Sequence, residues 1–148
     1  MKLHAHVTFS AIISGLLYLS FKSWGLAISS FIIGVFIDLD HFVDYIREYG
    51  WRIKVKDFFD RCYTCQFDRI MLLWHGWEWM ALLSISAWLT DWNPWVTGAL
   101  IGYSHHIILD MLSNSNAMRS YSLIWKWKND FHFDTIFSNL KHLKYKSR

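Results

Sequence analysis

Four apolar segments, at residues 7–21, 24–37, 70–89 and 95–112, leave this chain little choice but to build helices and stack them. Each is a continuous Ala/Ile/Leu/Phe/Trp stretch without the strict alternation of a half-buried strand, and the chain's single proline, Pro94, stands between two of them. Very short connections, Lys22-Ser23 and Asp91-Trp92-Asn93-Pro94, pair the segments as two helical hairpins. A polar, aromatic stretch at 44–69 separates the hairpins, and a basic tail at 118–148 follows them. With 148 residues, 53% of them apolar and only seven glycines, the chain has room for one domain, residues 1–148, and no separate soluble module. The expected fold is all-α, a four-helix membrane-embedded bundle with a polar cytoplasmic loop and a basic aromatic C-terminal tail.

Charge distribution supplies the orientation. If both termini face the cytoplasm, 14 of the 15 Lys and Arg residues fall on that side and only Lys22 falls outside. That asymmetry is what the positive-inside rule requires of cytoplasmic loops and termini. Trp24, Trp88, Trp92 and Trp95 would mark the outer interface, and Trp74 and Trp77 the inner one. The expected location is the inner, cytoplasmic membrane, multi-pass, with membrane lipids as neighbours and no nucleic acid as partner. The first segment carries His4 and His6 and no small-residue cleavage site, so it reads as a retained segment. Segments this short also occur as core helices of soluble bundles, which is the competing reading.

The ionisable residues of the apolar segments gather at one end. His4 and His6 open the first segment, and Asp38, Asp40 and His41 close the second. His75 and Glu78 lie early in the third, while His105, His106 and Asp110 close the fourth. All of these lie toward the cytoplasmic end of an arrangement derived from Lys and Arg alone. Each such group costs roughly 2.5–3.5 kcal/mol to insert unless it faces a polar interior and finds partners. A divalent ion is an efficient common partner, and imidazole with carboxylate suits zinc, with manganese or iron also compatible. His106 and Asp110 are spaced i, i+4, and His75/Glu78 and Asp38/His41 are spaced i, i+3, so each pair shares a helix face. His105 diverges from His106 by about 100° and reads as a supporting residue. His132 and His142, in the polar tail, read as solvated. Cys62-x-x-Cys65 offers at most half of a tetrahedral zinc site and reads as two reduced thiols.

These motifs resemble the LexA-regulated type of membrane-bound metal-dependent hydrolases. That family looks like a small helical membrane bundle with an early His, an Asp-x-Asp-His, a His closing a His-Arg-x-x-Thr-His stretch, and a Gly-x-x-x-His-x-x-x-Asp. Here His6 leads His-Val-Thr-Phe-Ser, Asp38-Leu39-Asp40-His41 is complete, and Gly102 to Asp110 fits the last motif. The third motif departs: the chain reads Arg69-Ile-Met-Leu-Leu-Trp-His75, without the family's first His, its Arg and its Thr. The resemblance implies that His6, Asp38, Asp40, His41, His75, His106 and Asp110 are the metal and active-site residues.

The expected function is hydrolysis of a phosphoester, with a lipid headgroup as one candidate substrate, by a metal-activated water at the cytoplasmic face. His6, Asp38, His41, His75, His106 and Asp110 are the expected ligands, zinc the first choice of metal, and Asp40 and Glu78 the candidate bases. A non-catalytic cluster that only locks helices together is the second class, and a metal or proton transporter the third. The tail, with Trp125-Lys126-Trp127 and the Phe137, Leu140, Leu143 stripe, is expected to lie on the membrane, cover the site, or pack against the polar loop.

Overall fold

The computed structural model describes residues 3–115 and 118–140. Lys2, Lys141, His142, Leu143, Lys144, Lys146 and Arg148 lie outside the described residues. The all-α expectation holds: the described chain is helical, with a single isolated bridge between Arg69 and His132 as its only extended pairing. The helices are α1 (Leu3–Phe21), α2 (Trp24–Phe36), α3 (Asp40–Tyr49), α4 (Val55–Tyr63), α5 (Trp77–Leu89), α6 (Pro94–Asp110), α7 (Leu123–Lys128) and α8 (Phe133–Ile136).

Both hairpins form as their turn residues dictate. Lys22 takes a left-handed φ of 51°, and the Ser23 side chain accepts from Leu26 N–H to start α2. Asp91 and Trp92 are also left-handed, Asn93 accepts from Trp95 N–H, and Pro94 occupies the first helical position of α6, where its missing N–H is harmless. The helix begun at Trp24 runs through a tight 3-10 turn at Ile37–Leu39 into α3, so a 26-residue helix spans Trp24–Tyr49.

The third segment forms a shorter helix than its apolar run of 70–89 suggests. Residues 70–76 are a loop, because the N–H groups of Met71, Leu72 and Trp74 are taken by the carboxylates of Asp44 and Asp40 instead of by helix carbonyls. α5 therefore keeps only 13 residues, about 20 Å at 1.5 Å per residue, against a bilayer core of about 30 Å. Two helices, Leu3–Phe21 and Trp24–Tyr49, are long and apolar enough to cross a membrane.

α2 lies along α6, with α1 against α2 and α5 against α6. Small and polar residues share the contact faces with an apolar cluster of Ile37, Tyr103, Ile107 and Tyr121. α1 buries His6, Ser10 and Ser14, while Phe9, Ile12, Leu16 and Leu19 are exposed. α2 buries Ser29, Ser30 and Gly34, and exposes Ile28, Ile32 and Phe36. On α6, Gly98 and Gly102 form a Gly-x-x-x-Gly pair that meets α2 backbone: a Cβ at Gly98 would collide with Leu26 O, and one at Gly102 with Ser30 O. Small residues at this spacing let helix backbones approach closely.

A second, differently built layer lies beyond the ends of these helices. Tyr45, Phe58, Phe67, Ile70, Leu72, Phe133, Ile136 and Phe137 form one apolar core from α3, α4, the 64–76 loop and α8. The tail up to Leu140 thus packs against the polar loop, the third of the arrangements expected for it, although Ile124 and Trp127 remain exposed.

Candidate metal centre

The cluster sits where the two layers meet. His6 comes from α1, Asp38 from the 3-10 turn, Asp40 and His41 from the start of α3, His75 from the loop before α5, and His106 with Asp110 from one face of α6. Two groups of side chains stand close enough to hold an ion, His6/Asp38/His106/Asp110 and Asp38/His41/His75, and Asp38 belongs to both. His6, Asp40, His75, His106 and Asp110 are buried; Asp38 and His41 keep about a quarter of their side-chain surface, 23% and 24%.

Hydrogen bonding on the far side of two imidazoles decides which atoms face inward. His75 Nδ1 lies 2.9 Å from Asp40 Oδ2, and His106 Nδ1 lies 2.8 Å from Gly34 O. With those nitrogens as donors, both Nε2 atoms carry lone pairs, the tautomer that ligates a metal. The two Nε2 atoms are 3.2 Å apart. His75 Nε2 is 3.3 Å from Asp38 Oδ1 and 3.5 Å from Asp110 Oδ2. His106 Nε2 is 3.4 Å and 3.7 Å from the same two oxygens. Four electron-pair donors thus converge with no proton among them in that tautomer, and a cation is what makes such a convergence favourable. The buried Nδ1 of His41 adds a further orphan: 3.2 Å from Asp40 Oδ1 and 3.7 Å from Asp38 Oδ1, it has no hydrogen-bond partner. His6 Nε2 completes the set, 3.0 Å from Asp110 Oδ1 and 3.9 Å from Asp38 Oδ2. The donor set fits a divalent ion of the zinc, manganese or iron type.

The two residues expected to be bases are placed otherwise. Asp40 Oδ2 accepts from Trp74 N–H at 3.0 Å and holds His75 Nδ1, which makes it an orienting carboxylate behind the imidazole. Glu78 is not brought to the cluster. Its carboxylate accepts from Ser122 Oγ and from the N–H groups of Leu123 and Ile124, capping the start of α7. Three other residues take no part: His4 is exposed, His132 is exposed, and His105 bridges helices, with Nε2 2.9 Å from Ser10 Oγ and Nδ1 2.9 Å from Ile101 O. Cys62 and Cys65 are free thiols, and burial pushes Cys62 up to about 12, far from the thiolate a metal needs.

Three residues that sequence reasoning missed hold the His75 loop. Asp44 accepts from the N–H groups of Met71 and Leu72. The buried Lys126 ammonium donates to Leu72 O at 3.0 Å and His75 O at 2.8 Å, and burial lowers its pKa to about 8. Tyr103 OH lies 2.7 Å from Trp74 O and 2.6 Å from Gly76 O, and accepts from Gly76 N–H. The loop needs this support, since Leu72 stands at a φ of 42°. Asp44 had a signal in its i, i+4 spacing from Asp40; Lys126 and Tyr103 had none.

On the side of Asp38, His41 and Asp110 the cluster opens into a cavity of about 530 Å³. The rest of its wall is largely apolar, with Phe42, Phe58, Cys62, Leu72 and Phe137 among the lining residues.

No protein-family model, curated protein or solved structure matches the chain.

Proposed function

We propose that this chain is an integral membrane protein whose His/Asp cluster holds a divalent metal and hydrolyses a phosphoester at the cytoplasmic face. One observation carries the metal reading: His75 Nε2, His106 Nε2, Asp38 Oδ1 and Asp110 Oδ2 point at one another from three separate parts of the chain. The membrane reading is supported by α1, which buries His6, Ser10 and Ser14 while exposing Phe9, Ile12, Leu16 and Leu19. It is also supported by the one-sided distribution of Lys and Arg.

In this reading His6, Asp38, His41, His75, His106 and Asp110 hold the metal, and Asp40 orients His75. A bound divalent ion supplies Lewis acidity and brings the pKa of a coordinated water to about 7. Hydrolysis would join a water oxygen to phosphorus, break the ester P–O bond and leave a proton of the water on the departing oxygen. Asp38 and His41 are the members exposed toward the cavity, so substrate reaches the cluster past them. The His6–Asp110 contact of 3.0 Å favours a second reading, in which the cluster is only an interhelical lock.

Elemental analysis of purified protein separates the two. Stoichiometric metal, absent from Asp110→Ala and His106→Ala, and lost as pH falls through the imidazole range because ligands must be deprotonated, supports a metal centre. A metal-free parent with unaltered thermal stability after chelation supports the lock. Turnover of alkyl phosphates and phospholipids by the loaded parent then tests the chemistry, and no turnover counts against hydrolysis.

A further inference from the structure

The cavity beside the metal ligands is larger than coordination requires. At about 530 Å³ it lies within the roughly 300–1,000 Å³ of pockets that enclose a small organic molecule. Its chemistry is divided. Asp38, His41 and Asp110 stand in one part of its wall, and the remainder is largely apolar, with Phe42, Phe58, Phe59, Leu72, Phe133 and Phe137 among its residues. A water-soluble phosphoester has nothing to gain from such a wall. An amphiphile gains from both parts, burying hydrocarbon at about 25 cal/mol per Å² while its polar end meets the ligands.

The lining extends to the protein surface at a particular place. Leu3 and Val7 of α1, with Phe36 at the end of α2 and Leu39 in the 3-10 turn after it, line the cavity and are also exposed. Together they frame an apolar opening between α1 and the α2–α3 turn. A hydrocarbon chain entering there meets apolar side chains at the opening.

Resting on the metal-hydrolase reading, we propose that the substrate is a membrane amphiphile with a single hydrocarbon chain, entering between α1 and the α2–α3 turn. The chain lies against Phe58, Cys62 and Phe137, which sets the phosphoester beside Asp38 and His41. The substrate class is therefore an alkyl, prenyl or lysophospholipid phosphoester.

The test uses the full chain in lipid nanodiscs and dodecyl phosphate carrying a diazirine at mid-chain. After photolysis, the adducts are mapped by mass spectrometry. Labelling of residues 58–65 and 133–137 is expected to exceed that of the outward residues Ile12, Leu16 and Leu19 by about tenfold, and unlabelled dodecyl phosphate should compete it away. Cys62→Trp, which fills the cavity, should abolish the wall adducts while metal content persists. Phe59→Ala, which widens it, should shift competition toward longer chains and gives an independent reading if Cys62→Trp does not fold. Equal labelling of the outward and wall residues would show only bilayer contact and overturn the proposal. So would an unlabelled wall, whether a second copy or another part of this chain fills the space. Adduct formation needs no turnover, so wall labelling without hydrolysis rejects the hydrolase reading alone. Hydrolysis of short soluble esters with an unlabelled wall rejects the chain site alone.

Discussion

The two layers of this molecule differ in what they place at the contacts between their elements. Where α1, α2 and α6 meet, serine, glycine, histidine and aspartate share the interior with Leu26, Tyr103 and Ile107, and Phe9, Ile12, Leu16, Ile28 and Ile32 face outward. In the layer of α3, α4, the 64–76 loop and α8, phenylalanine, tyrosine and isoleucine fill the interior, while Arg52, Lys54, Lys56, Asp60 and Arg69 are exposed. A polar surrounding drives apolar groups inward, and an apolar surrounding leaves close backbone contact and hydrogen bonding as the reasons for helices to associate. The contrast teaches why the cluster is where it is. The small-residue layer tolerates imidazoles and carboxylates at its helix contacts, and the aromatic layer supplies a rigid loop that delivers His75 to them.

If the layers differ in this way, the largest effect should come from bulk placed in the small-residue layer. Gly102→Leu puts a side chain into the Ser30 backbone and should prevent α2 and α6 from packing at all. Size-exclusion chromatography in detergent should then show no monodisperse, metal-loaded species; a normal profile would refute the close approach. Removing bulk from the aromatic layer is expected to be the next most damaging change. Phe133→Ala should lower stability by about 3–5 kcal/mol, read from thermal melting, as in an ordinary apolar core.

The seam between the layers gives smaller and more specific effects. Asp40→Asn should keep the fold but weaken metal binding about 10- to 100-fold in a chelator competition, as expected for a carboxylate behind a ligating histidine. Unchanged affinity with lost turnover would instead return Asp40 to the role of base. Glu78→Gln should cost about 1 kcal/mol by weakening the cap of α7 and leave metal content as it was. A Glu78→Gln protein that melts normally but has lost turnover would restore Glu78 as the proton acceptor.

Much of this arrangement was legible in the residues. The two hairpins followed from Lys22-Ser23 and Asn93-Pro94, and the pairs Asp38/His41 and His106/Asp110 followed from helical spacing. The Gly98/Gly102 spacing is equally visible in the residues and marks the α2–α6 contact. The third segment was misread for a physical reason. Its residues are apolar enough for a helix, but Asp40 and Asp44, about thirty positions earlier, take its first N–H groups and hold a loop there. No local pattern reports a hydrogen-bond partner that distant.

By itself, the sequence determined that the chain is helical, that its helices pair through tight turns, and that histidines and aspartates collect at one end, because periodicity, turn chemistry and the cost of buried charge are local properties. The tertiary structure alone decided that His75 rides on a pinned loop and that Asp40 stands behind it. It also decided that Glu78 caps α7 and that an apolar cavity adjoins Asp38 and His41. Those outcomes depend on which donor meets which acceptor across separate elements, and only the packed chain specifies that.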